Sequence, residues 1–228
     1  MKILGIESSC DDTSISIIDN NKNIITNETI SQNQIHKDYN GVVPELAARN
    51  HVLYIDKILK RILKKQQLKI TDIGLIAATV GPGLVGGLLV GLTFAKTLSQ
   101  VNRIPFIGVN HLEGHALTAR LTNKVEYPFL LLLVSGGHSN FYFISDVNDY
   151  KFLGGTLDDA LGEAFDKVAN ILGLDFPGGP QLELLAMKGD YKKVHLPKPL
   201  INVKSLDMSF SGLKTAALNC KKEIEKNN

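Results

Sequence analysis

Two segments of this chain start in the same way, and that echo restricts the fold more than any other feature. MKILGIESSCDDTSISIID opens the sequence, and PFLLLLVSGGHSNFYFI runs from Pro128. Each reads as an apolar strand, a turn rich in Ser, Asp or Gly, and an alternating strand that returns beside the first. A third strand follows in both places, over residues 23–30 and 149–153. The likeness lies in the order of elements, not in a residue-level repeat. The first copy continues with a helix over 41–65, whose Pro44 sits near the first turn, where a missing N–H costs little. Its apolar face is expected to run through Leu46, Val52, Ile55, Leu59 and Ile62. A strand ending at Val80, a helix over 84–98, a strand over 106–109 and a further helix complete a βββαβαβα order. After its third strand the second copy offers only helices, over 157–172, 181–188 and 210–226. Two domains are therefore expected, 1–126 and 127–228, the second lacking its later strands. PFLLLLVS is apolar on both faces, the pattern of a central strand. Left without a partner, its edge would invite unwanted pairing.

At 228 residues and 44% hydrophobic, the chain can bury a substantial core. A net charge of +2 supplies no whole-protein basic field, so a nucleic acid would have to be held by a local patch. Cys10 and Cys220 make no disulfide framework and fit a reducing, cytoplasmic setting. The apolar start is broken at Glu7, too early for a secretory signal. Residues 73–95 carry no charge over a length that could span a bilayer. Gly81-Pro82-Gly83 in their middle favours a strand, a tight turn and a buried helix instead, and no membrane is expected.

Residues 111–115 read HLEGH. On a helix the two histidines project from one face, one turn apart, and can offer two imidazoles to one metal ion. The competing reading is a chance pair of surface or core histidines. The acid stands third, at Glu113, so this is not the H-E-x-x-H of zinc proteases, and Gly114 is expected to interrupt the helix. A metal site needs a third protein ligand, with Asp11 and Glu113 the first to consider.

In the turn SSCDDTS, small residues let backbone N–H groups approach an anion, and Asp11 or Asp12 could order water or a metal beside a phosphate. A plain hairpin turn rich in Asp and Ser is the alternative. VSGGHSN is the same device, and two such hairpins could clasp one nucleotide. Gly83, Gly87 and Gly91 recur every four residues, which close helix packing explains; the missing Lys excludes a P-loop. Asp158, Asp159, Glu163 and Asp166 crowd acids before the turn FPGGP, as either a solvated face or a site for ribose hydroxyls or a cation. Lys57, Lys60, Arg61, Lys64 and Lys65 form either a solvated face or an RNA phosphate contact. SFSGLKTA either starts a capped helix or places Lys214 near an anion.

GIESSCDDTSISI, YNGVVPELAARNH, VGPGLVGGLLVGLTFAK, NHLEGH, LLVSGGHS, GEAFDKVA, PGGP and SFSGLKTA follow in this order across essentially the whole chain. Together they resemble the family of tRNA N6-adenosine threonylcarbamoyltransferases, formerly described as sialoglycoprotease-like metallopeptidases. The resemblance implies an α/β actin-like ATPase fold of two RNase H-like lobes, with the second incomplete here. It implies that His111 and His115 bind one divalent metal, iron or zinc. By the same resemblance Leu133, Val134, Ser135, Gly136 and Gly137 contact substrate, while Asp166, Gly179 and Glu183 hold its nucleotide part. The implied reaction moves a threonylcarbamoyl group from threonylcarbamoyl-AMP to N6 of adenosine 37 in tRNAs that read codons starting with A. Implied partners are tRNA, a paralogous actin-like subunit, an ATPase subunit and a separate adenylate synthase. Family members are longer and carry an aspartate as third metal ligand in a segment expected beyond Asn228. Two other functions compete. A non-catalytic actin-like partner subunit would have no need of HLEGH, and a metalloglycoprotease rests on the former description alone. No side-chain nucleophile is expected, since neither Ser135 nor Cys10 has an adjacent base in the pattern.

Overall fold

Leu4 and Ile6 of the opening strand are buried and their neighbours are not, as a half-covered sheet requires. In the computed structural model, which describes residues 1–227, Lys2–Glu7 (β1), Thr13–Asp19 (β2) and Ile24–Ile30 (β3) form an antiparallel meander. On its other side β1 pairs in parallel with Ile73–Gly81 (β4), and β4 with Phe106–Asn110 (β5). The sheet order is β3-β2-β1-β4-β5. The connections are a one-turn helix Asn33–His36 (α1), the long helix Pro44–Lys65 (α2), and Val85–Asn102 (α3); His111–Thr122 (α4) follows β5. Leu4, Ile6, Ile15, Ile17 and Ile76 from the sheet pack with Ile55, Ile58, Leu59 and Ile62 of α2 in one core. Each fully buried Ile or Leu there contributes roughly 1.5–3 kcal/mol.

Two local expectations change. The buried stripe of α2 is Ala47, His51, Ile55, Ile58, Leu59 and Ile62, whereas Val52 is 61% exposed. His51 takes the helical position that the apolar pattern assigned to Val52. It can do so because both ring nitrogens are satisfied. Nε2 donates to the Cys10 carbonyl at 3.0 Å, and Nδ1 accepts from the Thr13 hydroxyl at 2.8 Å. Burial lowers its pKa and keeps the ring neutral. Gly114 does not interrupt α4, which runs unbroken from His111 to Thr122.

The four-residue glycine spacing is a packing device. A Cβ on Gly83 would lie 2.6 Å from the Ser9 carbonyl oxygen, one on Gly87 2.4 Å from the Ser8 carbonyl oxygen, and one on Gly91 2.2 Å from Ser8 Oγ. The bare face of α3 therefore lies directly on the turn after β1. Two hydrogen bonds fasten it: Leu84 N–H to the Ser9 carbonyl at 2.7 Å and Ser8 Oγ to the Gly87 carbonyl at 2.9 Å.

The chain divides into two units, Met1–Leu121 and Thr122–Asn228. In the second, Phe129–Val134 (β6), Ser139–Asp146 (β7) and Asp149–Gly155 (β8) repeat the antiparallel meander, in the order β6-β7-β8. Leu161–Ile171 (α5), Gly178–Ala186 (α6) and Ser211–Asn227 (α7) follow. The two outer edges differ. Beside β8, Met208 N–H donates to the Gly155 carbonyl and Leu157 N–H to the Met208 carbonyl. β6 pairs only with β7 among the described residues, and Leu130, Leu132 and Val134 are exposed along it. The strand that reads as central thus lies at an edge. No described helix is long and apolar enough to cross a membrane.

The glycine contacts yield opposite expectations for two Gly→Ala changes. At Gly87 the new methyl meets backbone that cannot give way, and overpacking of this kind costs about 1–3 kcal/mol. Around Gly114 a Cβ would meet nothing within 4 Å. There alanine should stabilise the helix by about 0.5–1 kcal/mol. Chemical denaturation of the two variants beside the parent chain measures both signs.

Candidate functional site

Parallel sheets bring side chains together at the carboxyl ends of their strands. Here β1 ends at Glu7, β4 carries Thr79 near its end, and β5 ends at Asn110. Asn110 caps α4: its Oδ1 accepts from the N–H groups of Leu112 at 2.8 Å and Glu113 at 3.3 Å, the second and third helical positions. That cap makes His111 the first residue of the helix and places His115 one turn above it. Their Nε2 atoms converge to 3.1 Å, with the rings edge to face.

The other nitrogen of His111 faces inward. Nδ1 lies 3.3 Å from Glu7 Oε2 and 3.2 Å from Ser9 Oγ. Thr79 Oγ1 donates to the same Glu7 oxygen, and Ser9 N–H donates to Glu7 Oε1 at 2.5 Å. Burial pushes the Glu7 carboxyl up, but the hydrogen bonds from His111, Ser9 and Thr79 outweigh it and hold the group down at about 2. Glu7 went unrecognised in the sequence, where it looks like the end of an apolar run. A lone carboxylate at the last position of a buried parallel strand was the available signal.

Two ligands each about 2.0–2.1 Å from a tetrahedral zinc stand about 3.3 Å apart, so the histidine pair has the spacing and the donor chemistry of two metal ligands. Among the described residues, no group of three or more His, Cys, Asp or Glu is placed to hold a metal ion. Neither Asp11 nor Glu113 completes the set. Asp11 is half-buried in the turn after β1, and Cys10 is exposed beside it. The Cys10 thiol is pushed up to about 12, by partial burial first and then by the neighbouring Asp11 and Asp12 carboxylates. A thiol so disfavoured as thiolate makes a poor nucleophile.

In the second unit, Leu133 is buried and Val134 exposed at the end of β6. The turn that follows is closed by Ser135 N–H donating to the His138 carbonyl at 2.8 Å and His138 N–H donating to Ser135 Oγ at 3.1 Å. Gly136 and Gly137 stand exposed at its tip, with open space where a Cβ would project. Asp166 reaches Gly179 directly. Its Oδ1 accepts from the N–H groups of Gly178 at 2.8 Å and Gly179 at 3.3 Å, and so caps α6 from the neighbouring helix. Gly178 is obligatory there, because a Cβ would lie 2.3 Å from that of Ala169. Glu183 is exposed on α6.

The dense acids of this region turn out to be divided among partners within the chain. Asp158 accepts from Ser209 Oγ, Phe210 N–H, Ser211 N–H and Ser211 Oγ, capping α7 across some fifty residues. Asp159 pairs with Lys167 at 2.9 Å and with Lys214; Glu163 pairs with Lys167 at 2.5 Å. SFSGLKTA is thus both a capped helix start and a lysine placed at an anion, and the anion is Asp159. On α2, Lys60 pairs with Asp56, and Arg61 with Glu28 of β3, as expected of a solvated face.

The family model for tRNA N6-adenosine threonylcarbamoyltransferase matches residues 23–227. The chain belongs to this family. It is 59% identical over 216 residues to the tRNA N6-adenosine threonylcarbamoyltransferase of Rickettsia rickettsii (strain Sheila Smith), covering 95% of this chain and 63% of that protein. The Rickettsia bellii (strain OSU 85-389) protein of the same name is 59% identical over 215 residues, 94% of this chain and 63% of its own length. The chain therefore spans less than two thirds of these curated relatives. Among solved structures, the Acidaminococcus fermentans (R)-2-hydroxyglutaryl-CoA dehydratase component A has a TM-score of 0.55 at 15% identity, covering 100% of this chain and 70% of that one. The activator of the 2-hydroxyisocaproyl-CoA dehydratase from Clostridium difficile, with bound ADPNP, has a TM-score of 0.51 at 15% identity, covering 100% of this chain and 66% of that one. These likenesses show the actin-like ATPase fold that the family resemblance implies.

Asp158 supplies a pH test. Burial pushes its carboxyl up, but the four donors from Ser209, Phe210 and Ser211 hold it well below the ordinary carboxylate range. A depressed folded-state value means that its contribution is complete above the unfolded value of about 3.9 and is lost as pH falls below it. The stability of the second unit should be level from pH 8 to 5 and fall below pH 4. Asp158→Asn should lower the plateau and flatten that fall, as read from urea midpoints at each pH.

Proposed function

We propose that this chain carries the two metal-binding histidines and part of the substrate site of a tRNA N6-adenosine threonylcarbamoyltransferase. The whole protein transfers the threonylcarbamoyl group from threonylcarbamoyl-AMP to N6 of adenosine 37 in tRNAs that read codons starting with A. The observation that carries this reading is the convergence of His111 and His115 Nε2 to 3.1 Å, in a chain 59% identical to proteins of that name. It favours an enzyme over a non-catalytic actin-like subunit, which has no use for two convergent imidazoles. The former metalloprotease reading lacks its general base, since Glu113 stands third in HLEGH.

His111 and His115 would hold one divalent metal, iron or zinc. When bound, that ion supplies Lewis-acid polarisation to the acyl donor. Leu133, Val134, Ser135, Gly136 and Gly137 receive the substrate, and the bare tip at Gly136 and Gly137 leaves room for it to reach the backbone. Asp166, Gly179 and Glu183 orient the nucleotide portion. Asp11 would face phosphate only across a cation or water, because its own charge repels an anion. The adenine amine attacks the activated carbonyl carbon directly, the bond to the phosphate oxygen breaks, AMP leaves, and the amine loses one proton. No enzyme nucleophile is required, in keeping with the raised Cys10 thiol. The partners are tRNA, threonylcarbamoyl-AMP made by a separate synthase, a paralogous actin-like subunit and an ATPase subunit, all cytoplasmic.

The relatives' greater length sets the experiment. The chain is co-expressed with a separate polypeptide equivalent to the remaining third of the Rickettsia rickettsii protein. It is then combined with the partner subunits, tRNA and threonylcarbamoyl-AMP, and modified adenosine is read by mass spectrometry. Modification should need both polypeptides. His115→Ala should lower bound metal and modification together, by about 10-fold or more. Loss of activity with metal content unchanged would remove His115 from the ligand set.

A further inference from the structure

The residue that controls the histidine pair lies outside HLEGH, one hundred and four positions earlier in the chain. We propose that Glu7 is the positioning residue of this pair: its carboxylate keeps the His111 proton on Nδ1, which leaves the Nε2 lone pair pointing at His115 and open to a divalent cation. The inference rests on the metal reading above, and it assigns that site a supporting carboxylate.

The argument is one of donors and acceptors. A carboxylate can only accept, and Glu7 Oε2 lies 3.3 Å from His111 Nδ1. With the proton on Nδ1, the ring donates to that oxygen. With the proton on Nε2, two lone pairs would face each other at the same distance. Glu7 cannot swing away to avoid the choice. Thr79 Oγ1 from β4 donates to Oε2, and Ser9 N–H from the turn donates to Oε1 at 2.5 Å, so both oxygens are held from different elements. Ser9 Oγ, 3.2 Å from Nδ1, can accept from the same N–H.

The consequence passes to the outer face of the ring. Nε2 of His111 becomes the acceptor in the 3.1 Å contact, so His115 supplies the Nε2–H. Binding a cation through both Nε2 atoms then needs His115 alone to move its proton to Nδ1, while His111 is already in the required tautomer. Metal-bound histidines commonly donate their second N–H to a carboxylate, and loss of that partner weakens metal affinity about 10–100-fold.

The test uses the full 228-residue chain, 15N-labelled at histidine and free of metal. Two-bond 1H–15N spectra, assigned with His111→Ala, report which nitrogen carries each proton. Wild-type His111 should carry it on Nδ1. Glu7→Met, which keeps the length and removes both acceptors, should shift His111 toward the Nε2–H form that an unconstrained histidine side chain prefers. Titration of the same proteins with Zn²⁺ should show affinity falling about 10–100-fold in Glu7→Met. Thr79→Val removes one donor to Glu7 without touching His111, and its smaller drop serves if Glu7→Met does not fold.

A wild-type His111 protonated on Nε2 would overturn the proposal without any variant. So would a Glu7→Met chain, folded by its melting curve, with the His111 tautomer unchanged. If the tautomer moves as expected but Zn²⁺ binding survives His111→Ala unchanged, the metal reading of the pair fails and the hold of Glu7 on His111 stands.

Discussion

The close approach of α3 to the turn after β1 is the constraint on which the first unit depends. Gly83, Gly87 and Gly91 present backbone where other residues would present methyl groups, and Ser8 and Ser9 lie in the space so left. That contact anchors the chain just past Glu7, whose carboxylate accepts from Thr79. From α2, His51 grips the same turn through the Cys10 carbonyl and Thr13. With that turn held, Glu7 Oε1 accepts from Ser9 N–H and Oε2 from Thr79, and His111 meets the carboxylate there. The placing of the histidine pair thus depends on helix packing against Ser8 and Ser9, the turn whose Ser9 Oγ lies 3.2 Å from His111 Nδ1.

Much of this was legible in the sequence, and the failures have physical causes. The meanders are visible because period-two alternation marks their returning strands, TSISIID and NFYFI, whereas β6 shows only as a wholly apolar run. The packing role of the glycines was visible because their spacing matches a helical turn. The α2 stripe was misread because hydrophobicity stands in for burial only where buried residues are apolar. His51 is buried and satisfied by Thr13 and a carbonyl, neither of which sequence proximity reveals. Glu7 was missed for a related reason, since its partners lie 72 and 104 residues away.

The acidic segment teaches the converse. Asp158, Asp159, Glu163 and Asp166 looked like a site because carboxylates without visible partners suggest a ligand. Here Asp158 and Asp166 cap helices from a distance, and Lys167 and Lys214 come back to Asp159. A helix N-terminus needs an acceptor and does not require it to be local. Asp166 caps α6 through hydrogen bonds that also bring it to Gly179, and for both residues the family resemblance implies contact with substrate.

β6 carries a kinetic consequence. Among the described residues it pairs on one side only, and its other edge with the exposed leucines forms a template that pairs with whichever compatible strand arrives first. A completing strand tethered to the same chain is presented at about millimolar effective concentration, so it outruns strangers. The same strand supplied as a separate molecule must compete by diffusion with every other open edge, including β6 of another copy. Whether such an edge closes within its own sheet or seeds an aggregate is then a race, decided by tethering and by the order of synthesis.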